Sequence, residues 1–198
     1  AIVHSERTPA YLRHAGKSMH GLQIWVAMPK ELEQSNPSFF HANEDELPVW
    51  ETNEVKYKLI AGKAFGKQSP VPVHSNLFLL ELKSREAQKI NIGHELFGEA
   101  AIYILEGNIE NEGISYEPKR ILVAKESQLC EFTIAANSTI YIFGGDAFPE
   151  ERFIYWNFVA SSQELIEHAK QKWLAQTFPK ISGETEFVPL PSPHPNFK

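Results

Sequence analysis

The chain has 198 residues, 42% of them hydrophobic and 12% aromatic, which is enough apolar material for a sizeable core. Its formal net charge of −6 and the absence of a Lys/Arg block argue against direct binding of nucleic acid, although the fold could still form a local basic patch. No stretch approaches the ~18 apolar residues of a membrane span, and the first residues lack the apolar region of a signal peptide, so we expect a cytoplasmic protein.

Alternating apolar residues predict β-strands along most of the chain. The first is HGLQIWV at 20–26, which places Leu22, Ile24 and Val26 on one face. The others are predicted at 55–62, 76–83, 100–110 (with a turn at Glu106-Gly107-Asn108), 120–124, 130–135, 138–145 and 152–159. Short strands with no helices between them predict an antiparallel sandwich or barrel over roughly residues 50–158.

The single cysteine, Cys130, lies in one of these alternating segments. It cannot form a disulfide within the chain, and it alternates with Phe132 and Ile134. We therefore expect Cys130 to be a small buried apolar residue rather than a reactive thiol.

One helix is predicted near the end of the chain, over about 161–175. Ser161 and Glu164 have the spacing of a capping box, and Ile166 and Trp173 belong to an apolar stripe at helical spacing. We expect this stripe to pack on its own domain. The proline-rich tail at 188–198 is expected to be extended.

The candidate chemistry lies at the front of the chain, where His4 and Glu6 are two residues apart. On a strand, both side chains would point to the same face. One imidazole and one carboxylate on one face can bind a divalent metal at about 2.0–2.2 Å from each ligand. With one more histidine they would form the two-His-one-carboxylate triad of non-haem Fe(II) sites.

The segment IVHSE followed by MHGLQIWVAMP resembles the pirin family. The resemblance continues through most of the chain, in FFHANEDELP, AGKAFGKQSPVPVHSNLFLLEL, AIYILEGNIE, IYIFGGDAFPEERFIYWNFVASSQELIEHAKQKW and FPKISGETEFVPLP. It implies an all-β fold of two cupin (double-stranded β-helix, or jelly-roll) domains in tandem. We accordingly divide the chain into a remnant of the N-terminal cupin domain (1–27), a linker (28–50), the C-terminal cupin domain (51–159), and a C-terminal α-helix with an extended tail (160–198).

The resemblance also implies a metal site in the first cupin domain. In pirins two ligands come from an early His-x-His motif and two from a later His-Ser-Glu motif, which His4 and Glu6 match. No His-x-His occurs in these residues. We therefore expect half of a site, either in a fragment of a longer protein, which the missing initial Met favours, or in a natural short form.

In the second cupin domain, His94 and Glu99 occupy two ligand positions of the corresponding motif, but the first histidine position falls on Ile92. We expect this domain to lack a metal and these two residues to be polar surface residues near a loop. If the chain completes a site by itself, His14 and His20 are the first candidates for further ligands.

The resemblance implies that the parent protein is a mononuclear-metal dioxygenase of the quercetin 2,3-dioxygenase type, with Fe or a similar divalent metal and a small aromatic or flavonol substrate. In that case Glu6 would also be the catalytic base. The alternative is a non-enzymatic redox-sensing or transcription-regulating protein that binds a protein partner. The apolar segment 20–26 further predicts a homo-oligomer formed through exposed N-terminal strands.

Overall fold

The computed structural model describes residues 4, 8, 10–14, 16, 21–124, 131–183 and 185–191. It divides into two compact units, one formed by Ala1–Ser38 with Pro149–Lys198 and the other by Phe39–Phe148. Cys130 lies outside the described residues, so its burial stays a prediction.

The unit Phe39–Phe148 is built from antiparallel β-strands. Two single-turn 3-10 helices are also described: Glu44–Glu46 precedes the first strand, and Gly93–Glu95 lies between the fifth and the sixth. The described strands are β1 (Val49–Thr52), β2 (Val55–Ala64), β3 (Lys67–Gln68), β4 (Leu77–Ser84), β5 (Gln88–Asn91), β6 (Glu99–Glu106), β7 (Ile109–Asn111), β8 (Ile114–Tyr116), β9 (Ile121–Ala124), β10 (Glu131–Ile134) and β11 (Ser138–Gly145).

These strands form two sheets that share one core. The larger sheet has the order β1-β2-β4-β11-β6-β9, with β3 also paired to β2, and the smaller has the order β5-β10-β7-β8. Residues of both sheets are buried together, because alternate positions of each strand point inward. This core includes Leu59, Phe78, Leu80, Leu82, Ile90, Ile104, Ile109, Phe132, Ile134, Ile140 and Ile142.

The predicted turn at Glu106-Gly107-Asn108 is confirmed and joins β6 to β7. Gly107 has φ +73°, and a Cβ atom there would lie 2.0 Å from the Ser138 hydroxyl oxygen. That hydroxyl accepts a hydrogen bond from the backbone N–H of Asn108 at 3.2 Å. Glycine is therefore required here both by the backbone conformation and by the close approach of β11.

The other unit contains a hairpin and a helix. The predicted single strand at 152–159 is wrong, because the chain reverses at Trp156 (φ +49°) and forms two paired strands, β12 (Phe153–Tyr155) and β13 (Phe158–Ala160). Helix α1 then spans Gln163–Leu174. A further single-turn 3-10 helix covers Ala10–Leu12.

The helix begins one residue later than the capping-box pattern predicted. Ser162 is the N-cap, and its hydroxyl accepts a hydrogen bond from the backbone N–H of Leu165. Ser161 instead donates its hydroxyl and its backbone N–H to the carboxylate of Glu33, at 2.6 and 2.8 Å. The Glu33 carboxylate thus engages the serine that the sequence pattern had assigned to the cap.

An aromatic cluster holds α1 against its own unit, as the apolar stripe predicted. Trp173 contacts the rings of Trp156, Phe158, Phe178 and Phe187 at centroid distances of 5.3–6.2 Å. Its indole N–H also donates to the carbonyl of Val188 at 2.8 Å. These contacts fix the chain that follows the helix, which has no regular structure over 185–191.

The predicted strand at 20–26 is wrong for residues 21–26, which form no β-ladder with any described residue. Leu22, Ile24, Trp25 and Val26 are all exposed. A period-two apolar pattern stabilises a strand only when another strand satisfies its backbone hydrogen bonds. The predicted fold class, all-β with one C-terminal helix, is confirmed. No helix in the described part of the chain is long and apolar enough to cross a membrane.

Candidate functional site

The predicted metal ligands lie at the front of the chain. His4 is exposed, whereas Glu6 lies outside the described residues, so their shared face stays a prediction. His14 is also exposed, and His20 is not described. Among the described residues there is no group of three or more His, Cys, Asp or Glu side chains that could hold a metal ion. The described residues therefore do not by themselves provide a complete metal site.

His94 and Glu99 are both exposed, as predicted for polar surface residues near a loop. The His94 imidazole lies 3.5 Å from the carboxylate of Glu95. Glu99 is the first residue of β6. The expectation that this domain lacks a metal stays a prediction.

A cavity of about 260 Å³ lies within the unit Phe39–Phe148. It opens between β1 and β5, the strands at one end of the larger and of the smaller sheet. The residues that line it come mainly from the β1–β2 hairpin and from β5 with the turn that follows it: Trp50, Thr52, Asn53, Tyr57, Phe65, Lys89, Ile90, Asn91, Ile92 and His94.

Three aromatic side chains form one wall of the cavity. Trp50 and Tyr57 are directly opposite each other on β1 and β2, and their rings stack at 5.2 Å with 9° between the planes. Phe65, at the end of β2, packs against both rings at 5.2 and 5.5 Å. The ammonium group of Lys67 lies 5.3 Å from the centre of the Trp50 ring, within the range of a cation–π contact.

The rim of the cavity is polar, and its Lys89 charge is paired. The Glu131 carboxylate on β10 contacts the Lys89 ammonium group at 2.5 Å and accepts a hydrogen bond from the Asn91 amide at 2.9 Å. The His94 imidazole lies beside the carboxylate of Glu95, and the Lys67 ammonium group lies over the Trp50 ring. The cavity thus combines an apolar interior with a polar entrance.

A second polar group lies on the outer face of the larger sheet. Glu81 is only 8% exposed, accepts a hydrogen bond from the Tyr141 hydroxyl at 2.8 Å, and lies 3.2–3.4 Å from the ammonium groups of Lys83 and Lys58. Lys58 also contacts Glu44 at 2.6 Å.

These contacts change the pKa values of Glu81 and Tyr141. Burial alone would raise the pKa of the Glu81 carboxyl, but Tyr141 and the two lysines outweigh it and lower the pKa. Burial and the neighbouring Glu81 raise the pKa of Tyr141. This arrangement stabilises a buried charge.

Sequence reasoning missed the cavity residues. Tyr57 follows the alternation of β2, but Trp50 lies in the segment predicted as a linker, and Phe65 follows the strand at φ +53°. A usable signal was the excess of aromatic residues on two segments that could pair as a hairpin, since cross-strand aromatic pairs stabilise sheets.

Comparison with known proteins defines the class. Residues 79–179 match the family model described as the pirin C-terminal cupin domain. The crystal structure of quercetin 2,3-dioxygenase from Acinetobacter baumannii has the same fold, with a TM-score of 0.75 and 22% identity over 88% of this chain and 59% of that one. The two facing sheets are therefore those of a cupin domain.

Two curated relatives identify the protein family to which this cupin domain belongs. A pirin-like protein of Caulobacter vibrioides is 38% identical over 193 residues, which is 96% of this chain and 66% of that protein. A Pseudomonas aeruginosa protein named "Putative quercetin 2,3-dioxygenase" is 28% identical over 87% of this chain and 53% of its own length. The chain belongs to the pirin family, and it spans between about half and two thirds of the length of these relatives.

Proposed function

We propose that the protein carrying this chain is a metal-dependent dioxygenase of the quercetin 2,3-dioxygenase type that acts on a small aromatic substrate such as a flavonol. The observation that supports this proposal is the sequence similarity to the Pseudomonas aeruginosa relative, which extends over 173 residues. The fold shared with the Acinetobacter baumannii enzyme is consistent with it.

We further propose that His4 and Glu6 are two ligands of a divalent metal, with iron as the expected ion. A stable site needs three or four protein ligands, and the described residues contain no such cluster. We propose that the remaining ligands come from further residues of the protein that carries this chain, with His14 and His20 as the candidates within the chain itself. A solvent-exposed His4, as observed, is accessible for such a shared site.

Glu6 has a second proposed role, as the base that takes a proton from a substrate hydroxyl. A carboxylate can perform general-base catalysis when it lies within hydrogen-bond distance of the proton that it removes. Glu6→Gln keeps an oxygen ligand and removes the base, so it separates the two roles.

The test uses the full open reading frame that encodes these residues, purified without added metal, with quercetin and O₂ as substrates. We expect oxygen consumption that matches quercetin loss, abolished in His4→Ala and strongly reduced in Glu6→Gln. His168→Ala removes an exposed histidine of α1 and should leave turnover unchanged. A metal-loaded protein that leaves quercetin intact would contradict the proposal.

The same assay separates the enzyme from the regulatory alternative. A redox-sensing or transcription-regulating pirin-family protein would bind metal and a protein partner without turning over the flavonol. Cytoplasmic location, a homo-oligomer, the absence of nucleic-acid binding and the predicted domain boundaries stay predictions.

A further inference from the structure

The cavity presents one accessible hydrogen-bonding group that no described residue engages. Tyr57 lines the cavity and is only 6% exposed, yet no described residue forms a hydrogen bond with its hydroxyl. The hydroxyl is also not among the side-chain atoms that packed protein seals completely. It therefore borders the open space of the cavity. The hydroxyl is therefore available to a partner that enters the cavity, since tyrosine hydroxyls in largely apolar surroundings usually form a hydrogen bond.

The hydroxyl of Tyr57 acts as a hydrogen-bond donor to that partner. Burial raises the pKa of this phenol, and no charged neighbour opposes the effect. The group consequently keeps its proton throughout the neutral range. An acceptor oxygen on a molecule in the cavity, such as a carbonyl, would take up the proton of this hydroxyl in a hydrogen bond.

The apolar and aromatic residues that line the cavity indicate the chemistry of the rest of such a ligand. Ile90 and Ile92 are each 4% exposed and, with Trp50 and Phe65, provide an apolar and aromatic interior. Aromatic walls favour aromatic guests through offset-stacked and edge-to-face contacts. Apolar cavities of about 150 Å³ bind benzene, and drug-sized ligands need at least about 300 Å³. A volume of about 260 Å³ therefore suits one or two rings.

The charged residues at the cavity entrance do not favour a charged ligand. The Lys89 ammonium group is already held by Glu131, and His94 lies beside Glu95. An anionic ligand would compete with these carboxylates, and a cation would meet Lys89. Lys89 is paired and Lys67 lies against the Trp50 ring, and the apolar interior supplies no counter-charge, so a neutral ligand enters it at the lowest desolvation cost.

We propose that this cavity of the cupin unit binds a neutral one- or two-ring aromatic compound whose carbonyl oxygen accepts a hydrogen bond from Tyr57. None of the residues that line it belongs to the His4–Glu6 pair, so the proposal does not rest on the proposed dioxygenase function. It assigns to this domain a ligand site that needs no metal.

The test uses two probes with the same two-ring frame, chromone, which has the carbonyl, and chroman, which lacks it. The full open reading frame is labelled with ¹⁵N and titrated while the tryptophan indole N–H signals are followed by NMR. The Trp50 signal is identified by its absence in Trp50→Phe. We expect chromone to shift the Trp50 signal in a saturable way, with an affinity about fivefold higher than that of chroman, as one hydrogen bond provides.

Tyr57→Phe removes the donor and keeps the ring, so chromone affinity should fall about fivefold to the level of chroman, whose own affinity should not change. Tyr116→Phe is the matched control, because Tyr116 packs on the same core without lining the cavity, and it should bind both probes as the wild type does. A Trp50 signal that millimolar chromone leaves in place would overturn the proposal. Equal affinities for the two probes, or a Tyr57→Phe protein that still distinguishes them, would overturn it as well.

Discussion

The hydroxyl of Tyr141 on β11 donates a hydrogen bond to the carboxylate of Glu81 on the neighbouring strand β4, with 2.8 Å between the oxygen atoms. The two residues are directly opposite each other in the ladder. Lys58 on β2 is opposite Glu81 on the other side, so one row across three strands consists of a phenol, a carboxylate and an ammonium group. The hydrogen bond and the ion pair in this row stabilise the buried carboxylate of Glu81, whose burial without partners would be unfavourable.

Replacing Tyr141 by phenylalanine should lower the free energy of unfolding at pH 7 by about 1.5–3 kcal/mol, the usual contribution of a hydrogen bond to a charged group. The pKa of Glu81 is lowered in the folded protein, so its stabilisation is fully present above its ordinary value of 4.5 and is lost as the pH falls through the lowered value. The difference between wild type and variant should therefore shrink in acid. Urea unfolding at pH 7 and at pH 3 measures it.

Tyr103→Phe serves as the control for this prediction, because Tyr103 lies next to Tyr141 in the same row and has no hydrogen bond to Glu81. It should change stability little at either pH. A Tyr141→Phe effect that stays the same in urea unfolding from pH 7 down to a pH at which Glu81 is protonated would show that the ionised carboxylate is not involved.

Two glycines with the same backbone conformation provide a matched test of close packing. Gly107 and Gly113 have φ +73° and +75°, but only a Cβ at Gly107 would meet Ser138, whereas Gly113 faces open space. Gly113→Ala should cost about 1 kcal/mol for the left-handed conformation alone. Gly107→Ala should cost at least about 2 kcal/mol more, since buried Ser138 cannot move aside. Equal losses in thermal unfolding would mean that β11 yields readily at this point.

The helix cap can be tested at Ser162. Ser162→Ala should reduce the local stability of α1 by about 1 kcal/mol, and Ser162→Gly by only a few tenths, because glycine also suits the cap position. Hydrogen exchange of the amides at 163–174 reports this local stability. If Ser161→Ala raised exchange at Leu165 more than Ser162→Ala does, the assignment of the cap would be incorrect.

Metal content tests the shared site separately from catalysis. The 198-residue chain should carry divalent metal well below one ion per chain, because His4 and Glu6 supply two ligands where a stable site needs three or four. In the full open reading frame, His4→Ala should abolish metal retention, and Glu6→Gln should weaken it less, since the amide keeps an oxygen donor. Elemental analysis after purification without added metal provides the measurement. A stoichiometric ion in the 198-residue chain would contradict the assignment.

The long strands of the core could be predicted from the sequence because burial follows their alternation. In β11, Ile140 and Ile142 are fully buried and Tyr141 between them lies on the opposite face, which is the pattern that the sequence shows. The short strands β5 (QKIN) and β8 (ISY) carry too few apolar residues for a period of two to be visible. Residues 21–26 show the opposite case, an alternating pattern that no described strand completes.

The site was less predictable than the fold. His4 and Glu6 were identified through a resemblance, because two residues at this spacing carry little information by themselves. Trp50, Tyr57 and Phe65 come together only through the register of β1 on β2 and the path of the chain after β2. The missing partner of the Tyr57 hydroxyl is a property of three-dimensional packing, and no local pattern reports it.

The order of strands in the larger sheet has a consequence for how the chain folds. β11 lies between β4 and β6, and the bond from Tyr141 to Glu81 joins residues that are 60 positions apart. During synthesis, β4 and β6 are complete long before the strand that must separate them exists, so their inner edges stay open. In contrast, β12, β13 and α1 follow one another directly and can form through local contacts. If synthesis paused before residue 138, β4 and β6 would therefore each keep an unpaired edge. Unpaired strand edges promote aggregation, so this is the stage at which we expect the chain to depend most on chaperones.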